Sequence, residues 1–156
     1  MSPALIFSRF RARFFPLSAT AGMTPPLVLE GTAVVSAAQV KALQASGVPI
    51  IDARVASEYE TEHIAKALSV PYAEKSAKSA NFNHLQDRFD TSKLPTDKSA
   101  GIVFYCNAGA CWKGYKAAAV AVKAGYKKVY WFRGGIPEWR EKGYPAESSF
   151  PSTGKQ

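Results

Sequence analysis

A chain of 156 residues with 47% apolar content is long enough for one domain with a real core. Two cysteines confined to one short stretch exclude a disulfide framework, and no apolar run approaches the roughly 18 residues that span a membrane. The net charge of +8 suits small anionic substrates, but the lysines are scattered and no arginine-rich stripe alternates with aromatics, so no nucleic-acid partner is expected.

Met1 to Leu29 carries no acidic residue and sets Arg9, Arg11 and Arg13 among Phe7, Phe10, Phe14 and Phe15. Those arginines break up the apolar core that a secretory signal needs. Ser18-Ala19-Thr20-Ala21 nevertheless resembles a cleavage site, and an acid-free, arginine-bearing stretch also suits a transit peptide. Residues 1–31 are read as a flexible leader or targeting segment. The expected location is cytoplasmic, with export or organelle targeting as the alternatives.

Folded sequence is expected from Thr32. Val34-Val35 forms a short strand, and Ser36 is placed to cap a helix that runs through Gln44 and ends before Gly47. Pro49-Ile50-Ile51-Asp52 reads as a buried strand with Asp52 at its carboxyl end. Ser57 is expected to cap a short helix over Glu58 to Glu62, and Leu68-Ser69-Val70 to form a third strand stopped by Pro71. Ala73 to Ala100 is polar and lysine-rich, and Phe82, Leu85 and Phe89 are spaced for a short helix with one face on the core.

Ile102-Val103-Phe104-Tyr105 is β-branched and aromatic and too short for a buried helix, which predicts a strand covered on both faces. The loop from Cys106 to Trp112 follows. An alanine-rich helix over Lys113–Lys123 is then ended by Gly125. Tyr115, Ala118 and Val122 fall on its core face, with Lys113, Lys116 and Lys123 away from it. Val129 to Phe132 is the last strand, closed by Arg133-Gly134-Gly135, and Ile136 to Lys142 forms a short helix anchored by Trp139. Residues 146–156 read as a flexible tail. Strands alternating with helices predict an α/β fold on a parallel sheet.

Cys106 therefore stands at the carboxyl end of a strand, where open α/β sheets place their ligand sites. A loop of Asn107, Ala108, Gly109 and Ala110 can curl its backbone N–H groups inward as an anion nest, and the following helix adds its positive end. A free thiol titrates near about 8.5, and a helix N-terminus can bring that to roughly 3.5–7.5. Cys106 is thus the candidate nucleophile; the competing reading is a small buried cysteine in a tight turn. A zinc site would need ligands beyond Cys106 and Cys111, and the spacing of His63 and His84 offers none. Asp52 and Arg54 read as an ion pair bracing the loop rather than as substrate ligands.

Several segments, in order, resemble a rhodanese-homology domain. Asp52-Ala53-Arg54 with Glu58-Tyr59 resembles the family's D-x-R…E-Y, and His63-Ile64 with Ala67 its G-H-I-x-G-A segment. Cys106-Asn107-Ala108-Gly109 resembles the catalytic C-x-x-G loop, and Gly134-Gly135-Ile136-Pro137-Glu138-Trp139 the closing G-G-x-x-x-W. The resemblance spans residues 32–145 and implies a five-stranded parallel sheet flanked by helices on both faces, in strand order 1-5-4-2-3. Glu62 and Lys66 stand where the family carries glycines. Cys111, followed by Trp112, stands where a polar or cationic loop residue is usual, so the rim cation for thiosulfate is missing there, with Lys113 and Arg133 as candidate substitutes.

The implied activity is that of a thiosulfate sulfurtransferase-type enzyme. A sulfane sulfur would pass from thiosulfate or polysulfide, through a Cys106 persulfide, to cyanide or to a small or protein thiol. No metal or organic cofactor is needed for this chemistry. A phosphatase or arsenate reductase would require an arginine at the position of Trp112 to clamp a tetrahedral anion. The remaining alternative is a redox sensor or sulfur carrier that cycles Cys106 and Cys111 between dithiol and disulfide.

Overall fold

Two apolar runs without polar alternation form the middle of the sheet, because protein covers both of their faces. The computed structural model describes residues 24–150, so most of the proposed leader and the end of the tail lie outside the described residues. In chain order the elements are β1 (Thr32–Val34), α1 (Ala37–Ala45), β2 (Ile50–Asp52), α2 (Ala56–Thr61), β3 (His63–Ile64), β4 (Leu68–Ser69) and β5 (Tyr72–Ala73). They continue with β6 (Arg88–Phe89), β7 (Gly101–Tyr105), α3 (Lys113–Lys123), β8 (Lys128–Phe132), α4 (Gly135–Glu141) and β9 (Ala146–Glu147).

The main sheet is parallel throughout, in the order β1-β8-β7-β2-β4. Ranked along the chain, this is the 1-5-4-2-3 order that the family resemblance implied. The two-residue period of a strand divides the core into two layers. Ile51, Ile102, Phe104, Val129 and Trp131 meet Tyr115, Ala118 and Ala121 of α3 on one face. Ile50, Val103, Tyr105 and Phe132 meet Val40 of α1 and Ile136 and Trp139 of α4 on the other.

Local signals account for most boundaries. Ser36 caps α1 in a capping box with Gln39, as the sequence predicts. Helix α2 begins earlier than expected: Val55 occupies the cap position and Ser57 lies inside the helix. The backbone N–H of Arg54 is drawn onto Asp52 Oδ1 at 2.9 Å, which turns the chain ahead of Ser57.

Lys66 and Glu62 show what the two missing glycines cost. Lys66 holds the left-handed φ of +65°, a conformation that costs a side-chain-bearing residue roughly 1–2 kcal/mol. Glu62 is extended at φ −163°, which any residue adopts.

Three expectations are corrected. Phe82, Leu85 and Phe89 do not share a helix: His84–Gln86 is a single 3-10 turn, Leu85 is exposed, and Phe89 lies in β6, paired with Tyr72 of β5. The Asp87 carboxylate fixes this arrangement by accepting bonds from the hydroxyls of Tyr72 and Ser76 and the backbone N–H groups of Lys75 and Ser76. Lys116 is not on a solvent face but fully buried. Its ammonium meets Glu74 Oε2 at 2.9 Å and Ser76 Oγ at 2.9 Å, because the segment after β5 folds across α3. Finally, Ala146–Glu147 is not loose: it pairs antiparallel with His63–Ile64, and Ser149 N–H donates to the Glu60 carbonyl.

Candidate active site

The register of three strands delivers Cys106 to the carboxyl edge of the sheet. Tyr105 pairs with Asp52 on one side and with Phe132 on the other, so Cys106 emerges between Ala53 and Arg133. Its carbonyl accepts the N–H of Ile136 at 3.2 Å, which ties the loop to the start of α4. Gly135 makes that approach possible. It has φ +59°, and a Cβ there would stand 2.2 Å from the Cys106 carbonyl oxygen. The second glycine of the closing motif thus shapes the cysteine loop rather than merely ending a strand.

The sulfur is only slightly exposed and faces the first turn of α3. Gly114 N–H donates to Cys106 Sγ at 3.1 Å. A side chain at Gly114 would press on that sulfur, since its Cβ would lie 3.2 Å from Sγ. An amide donor and the positive end of an eleven-residue helix therefore converge on one sulfur atom. This arrangement favours the thiolate in the reduced protein.

Cys106 and Cys111 are joined as a disulfide, with their Cα atoms 6.4 Å apart. That span lies within the roughly 4.4–6.8 Å that such bridges allow. Gly109, at φ +61° with open space around it, lets the loop curl far enough. Asn107, Ala108 and Gly109 are half-buried and Ala110 is exposed. Trp112 is buried with its ring edge-on to Tyr115 at 5.2 Å, so it anchors the end of the loop in the core.

Asp52 and Arg54 are buried together. Arg54 Nη2 donates to Asp52 Oδ2 at 2.8 Å and Nε to Oδ1 at 3.1 Å, while the Tyr105 hydroxyl donates to Oδ2 at 2.5 Å. Burial works to lower the Arg54 pKa, but the hydrogen bond and charge of Asp52 outweigh it and raise it above its ordinary value. Burial, then the Asp52 charge and hydrogen bond, push the Tyr105 phenol up, so it remains a donor. Arg54 Nη2 also donates to the Glu62 carbonyl at 2.5 Å, which leaves the guanidinium engaged inside the protein.

Of the two candidate rim cations, Arg133 stands beside Cys106 in the register and donates to the Pro25 carbonyl at 3.4 Å. Its buried Nε has no hydrogen-bond partner among the described residues. Lys113 opens α3 and is half-buried. Beside the loop lies a cleft of about 360 Å³ between α2 and α4, bordered by Glu58, Thr61, Asn107, Pro137 and Arg140.

His63 is buried and is not part of the cleft lining. Its ring stacks on Tyr59 at 3.7 Å and its Nδ1 lies 2.7 Å from the Tyr59 carbonyl. Among the described residues no three His, Cys, Asp or Glu side chains converge as a metal site, and no helix is long and apolar enough to cross a membrane.

Sequence reasoning did not single out Gly114, Gly135 or Glu58 as parts of the site. A glycine two residues inside an otherwise alanine-rich helix, directly after the loop, was the available signal for Gly114.

A parallel α/β sheet whose central strand ends in a cysteine, held against a helix N-terminus, defines a cysteine-loop α/β domain. Residues 36–142 match the rhodanese-like domain model, and the chain belongs to that family. It is 30% identical over 119 residues to an "HTH-type transcriptional regulator Rv0324" of Mycobacterium tuberculosis, a match covering 76% of this chain and 46% of the relative. It is 39% identical over 54 residues to a "Sulfurtransferase" of Allochromatium vinosum, covering 35% of this chain and 47% of the relative. The matches thus span about half the length of these curated relatives. The fold is shared with the crystal structure of thiosulfate sulfurtransferase from Pseudomonas aeruginosa. There the TM-score is 0.58 at 24% identity, over 76% of this chain and 21% of that one.

Proposed function

We propose that the protein is a sulfurtransferase in which Cys106 carries the transferred sulfur. The thiolate attacks the sulfane sulfur of a donor, a Cys106 persulfide forms, and the donor leaves as its desulfurated anion. A thiol or cyanide then takes the outer sulfur and the thiolate is regenerated. The observation that carries this reading is the 3.1 Å bond from Gly114 N–H to Cys106 Sγ at the start of α3. Family membership and the identity shared with a sulfurtransferase over 54 residues support it.

The loop also bears on the donor. Cys111 puts no charge at the position where a rim cation is usual, so a dianion such as thiosulfate loses an attraction there. Arg133 and Lys113 are the cations left to serve an anionic donor. Polysulfide relies more on the nucleophilicity of the thiolate, and we assign it as the better donor. The acceptor is a small or protein thiol.

The test is intact mass after reduced protein meets each donor. Cys111→Ser should gain one sulfur atom and lose it to cyanide as thiocyanate. Cys106→Ser should gain none. A Cys106→Ser protein that takes up sulfur and turns over like wild type overturns the assignment. The Cys106–Cys111 bond favours a second reading, a sulfur-carrier or redox module that cycles between dithiol and disulfide.

A further inference from the structure

We propose that Cys111 discharges the Cys106 persulfide within the loop, so that the protein releases hydrosulfide and is left as the Cys106–Cys111 disulfide. This inference rests on the sulfurtransferase reading and deepens it: where no external thiol or cyanide takes the outer sulfur first, Cys111 reduces it to sulfide.

The argument starts from which sulfur Cys111 can reach. In a persulfide the inner atom is Cys106 Sγ and the outer atom is the newly acquired one. The structure joins Cys111 to the inner atom, with the Cα atoms 6.4 Å apart and the contact from Gly114 N–H to Sγ still in place. The loop is thus folded to the product of attack on the inner sulfur. In that product β7 and α3 flank the joined cysteines as regular elements.

The step balances without a further oxidant. Cys111 thiolate attacks Cys106 Sγ, the Cys111–Cys106 bond forms, and the bond from Sγ to the outer sulfur breaks. The outer sulfur departs with the electron pair of that bond, and the proton given up by the Cys111 thiol makes it hydrosulfide. The two cysteines together are oxidised by two electrons and the sulfane sulfur is reduced by two. Hydrosulfide is a weakly basic leaving group, which speeds such exchange.

Return to the dithiol requires a dithiol reductant, and exposure fixes where it strikes. Cys106 is 3% exposed, whereas Cys111 is half-buried. An incoming thiolate therefore meets Cys111 first and forms a mixed disulfide there. Cys106 is then the leaving sulfur, and Gly114 N–H and the α3 terminus receive its negative charge. The protein takes its place between a reaction that generates sulfane sulfur and one that consumes sulfide, coupled to a dithiol reductase.

The experiment uses the full chain, reduced and freed of thiol, treated with a thiosulfonate. Sulfinate is the leaving group of that donor, so any sulfide must come from the persulfide. Trapped protein is weighed by intact mass and sulfide is assayed in parallel. Wild type should end lighter than the dithiol by two hydrogens, with stoichiometric sulfide released. Cys111→Ser and Cys111→Ala should hold one extra sulfur atom and release none. Wild type that retains the extra sulfur, with no more sulfide than the variants, overturns this inference alone. Cys111 variants that gain no sulfur overturn the sulfurtransferase reading and this inference with it.

Discussion

The side-chain amide of Asn107 donates to Glu58 Oε2 at 2.6 Å, and that same oxygen lies 3.9 Å from Arg54 Nη1. The first residue of the loop after the cysteine is therefore tied to the buried Asp52–Arg54 pair through one carboxylate on α2. Glu58→Ala should let Asn107 drift and lower sulfur transfer roughly 10- to 100-fold, the scale expected for misplacing a reacting group by about an ångström. Glu58→Gln keeps an acceptor oxygen and should recover most of that loss. Steady-state rates of both variants decide it; equal loss in the two would show that charge, not positioning, matters.

Asp52 is expected to act on stability rather than on turnover. Removing its charge leaves a buried guanidinium without its carboxylate, a change that typically costs about 3–5 kcal/mol. Asp52→Asn should therefore shift the urea midpoint strongly downward. A variant as stable as wild type would mean that Glu58 and the Glu62 carbonyl alone suffice for Arg54.

At Gly135 the geometry is less forgiving. Any Cβ would meet the Cys106 carbonyl oxygen at 2.2 Å, so the loop and α4 must separate. Gly135→Ala should lose activity and about 1–3 kcal/mol of stability, as overpacking commonly does. Activity assays with denaturant melts of the same preparation check both parts.

How far the site could be read from sequence follows from the range of its causes. Strand β7 and helix α3 were legible because an unbroken apolar run and a terminal glycine are local signals. The approach of Cys106 and Cys111, which the redox alternative required, needs only a short, small-residue loop. Lys116 was not legible: an ammonium on an amphipathic helix normally faces water, and Glu74 and Ser76, roughly forty residues upstream, make its burial tolerable. Phe82 and Phe89 imitated a helical face because both reach the core, at Tyr115 and Phe104, from different backbone conformations. The pairing of Ala146–Glu147 depended on His63–Ile64 being free to accept it.

Lys66 offers a stabilising change. Its left-handed φ suits glycine, and its side chain is not needed for the bond from its backbone N–H to Glu147 Oε2. Lys66→Gly should raise stability by about 0.5–1 kcal/mol, part of the relief being offset by the greater freedom of glycine in the unfolded chain. A thermal melt that moves downward would count against strain at this position.

Asp87 sets the response of the β5–β6 hairpin to acid. Partial burial works to raise its pKa, but bonds from the Ser76 and Tyr72 hydroxyls and from the backbone of Ser76 and Lys75 bring it to about 2, from an ordinary 3.8. A carboxylate lowered in the folded state contributes fully above its unfolded pKa, and the contribution fades as pH falls toward the folded one. The hairpin should therefore be secure at neutral pH and lose its tie between about pH 4 and pH 2. Asp87→Asn should be less stable than wild type at neutral pH and flatter across that acid window. Urea melts at several pH values measure the two slopes; parallel slopes would mean that Asp87 titrates alike in the folded and unfolded states.

The expected donor preference follows from charge at the rim of the loop. Thiosulfate is a compact dianion and gains most from a fixed cation near the sulfur that is attacked. Cys111 supplies none, and Arg133 spends one donor on the Pro25 carbonyl while its Nε has no hydrogen-bond partner among the described residues. Wild type should turn over polysulfide more efficiently than thiosulfate, and Arg133→Gln should widen that gap by raising KM for thiosulfate with little change in kcat. A cation that aids encounter and binding alone acts on KM in this way, whereas one that stabilises the departing sulfite in the transition state lowers kcat as well. Steady-state kinetics of both proteins with both donors separate these cases. A clear thiosulfate preference in wild type would sink the donor argument, and an Arg133→Gln protein with unchanged constants for both donors would remove Arg133 from donor recognition and leave Lys113 at the start of α3 as the remaining rim cation.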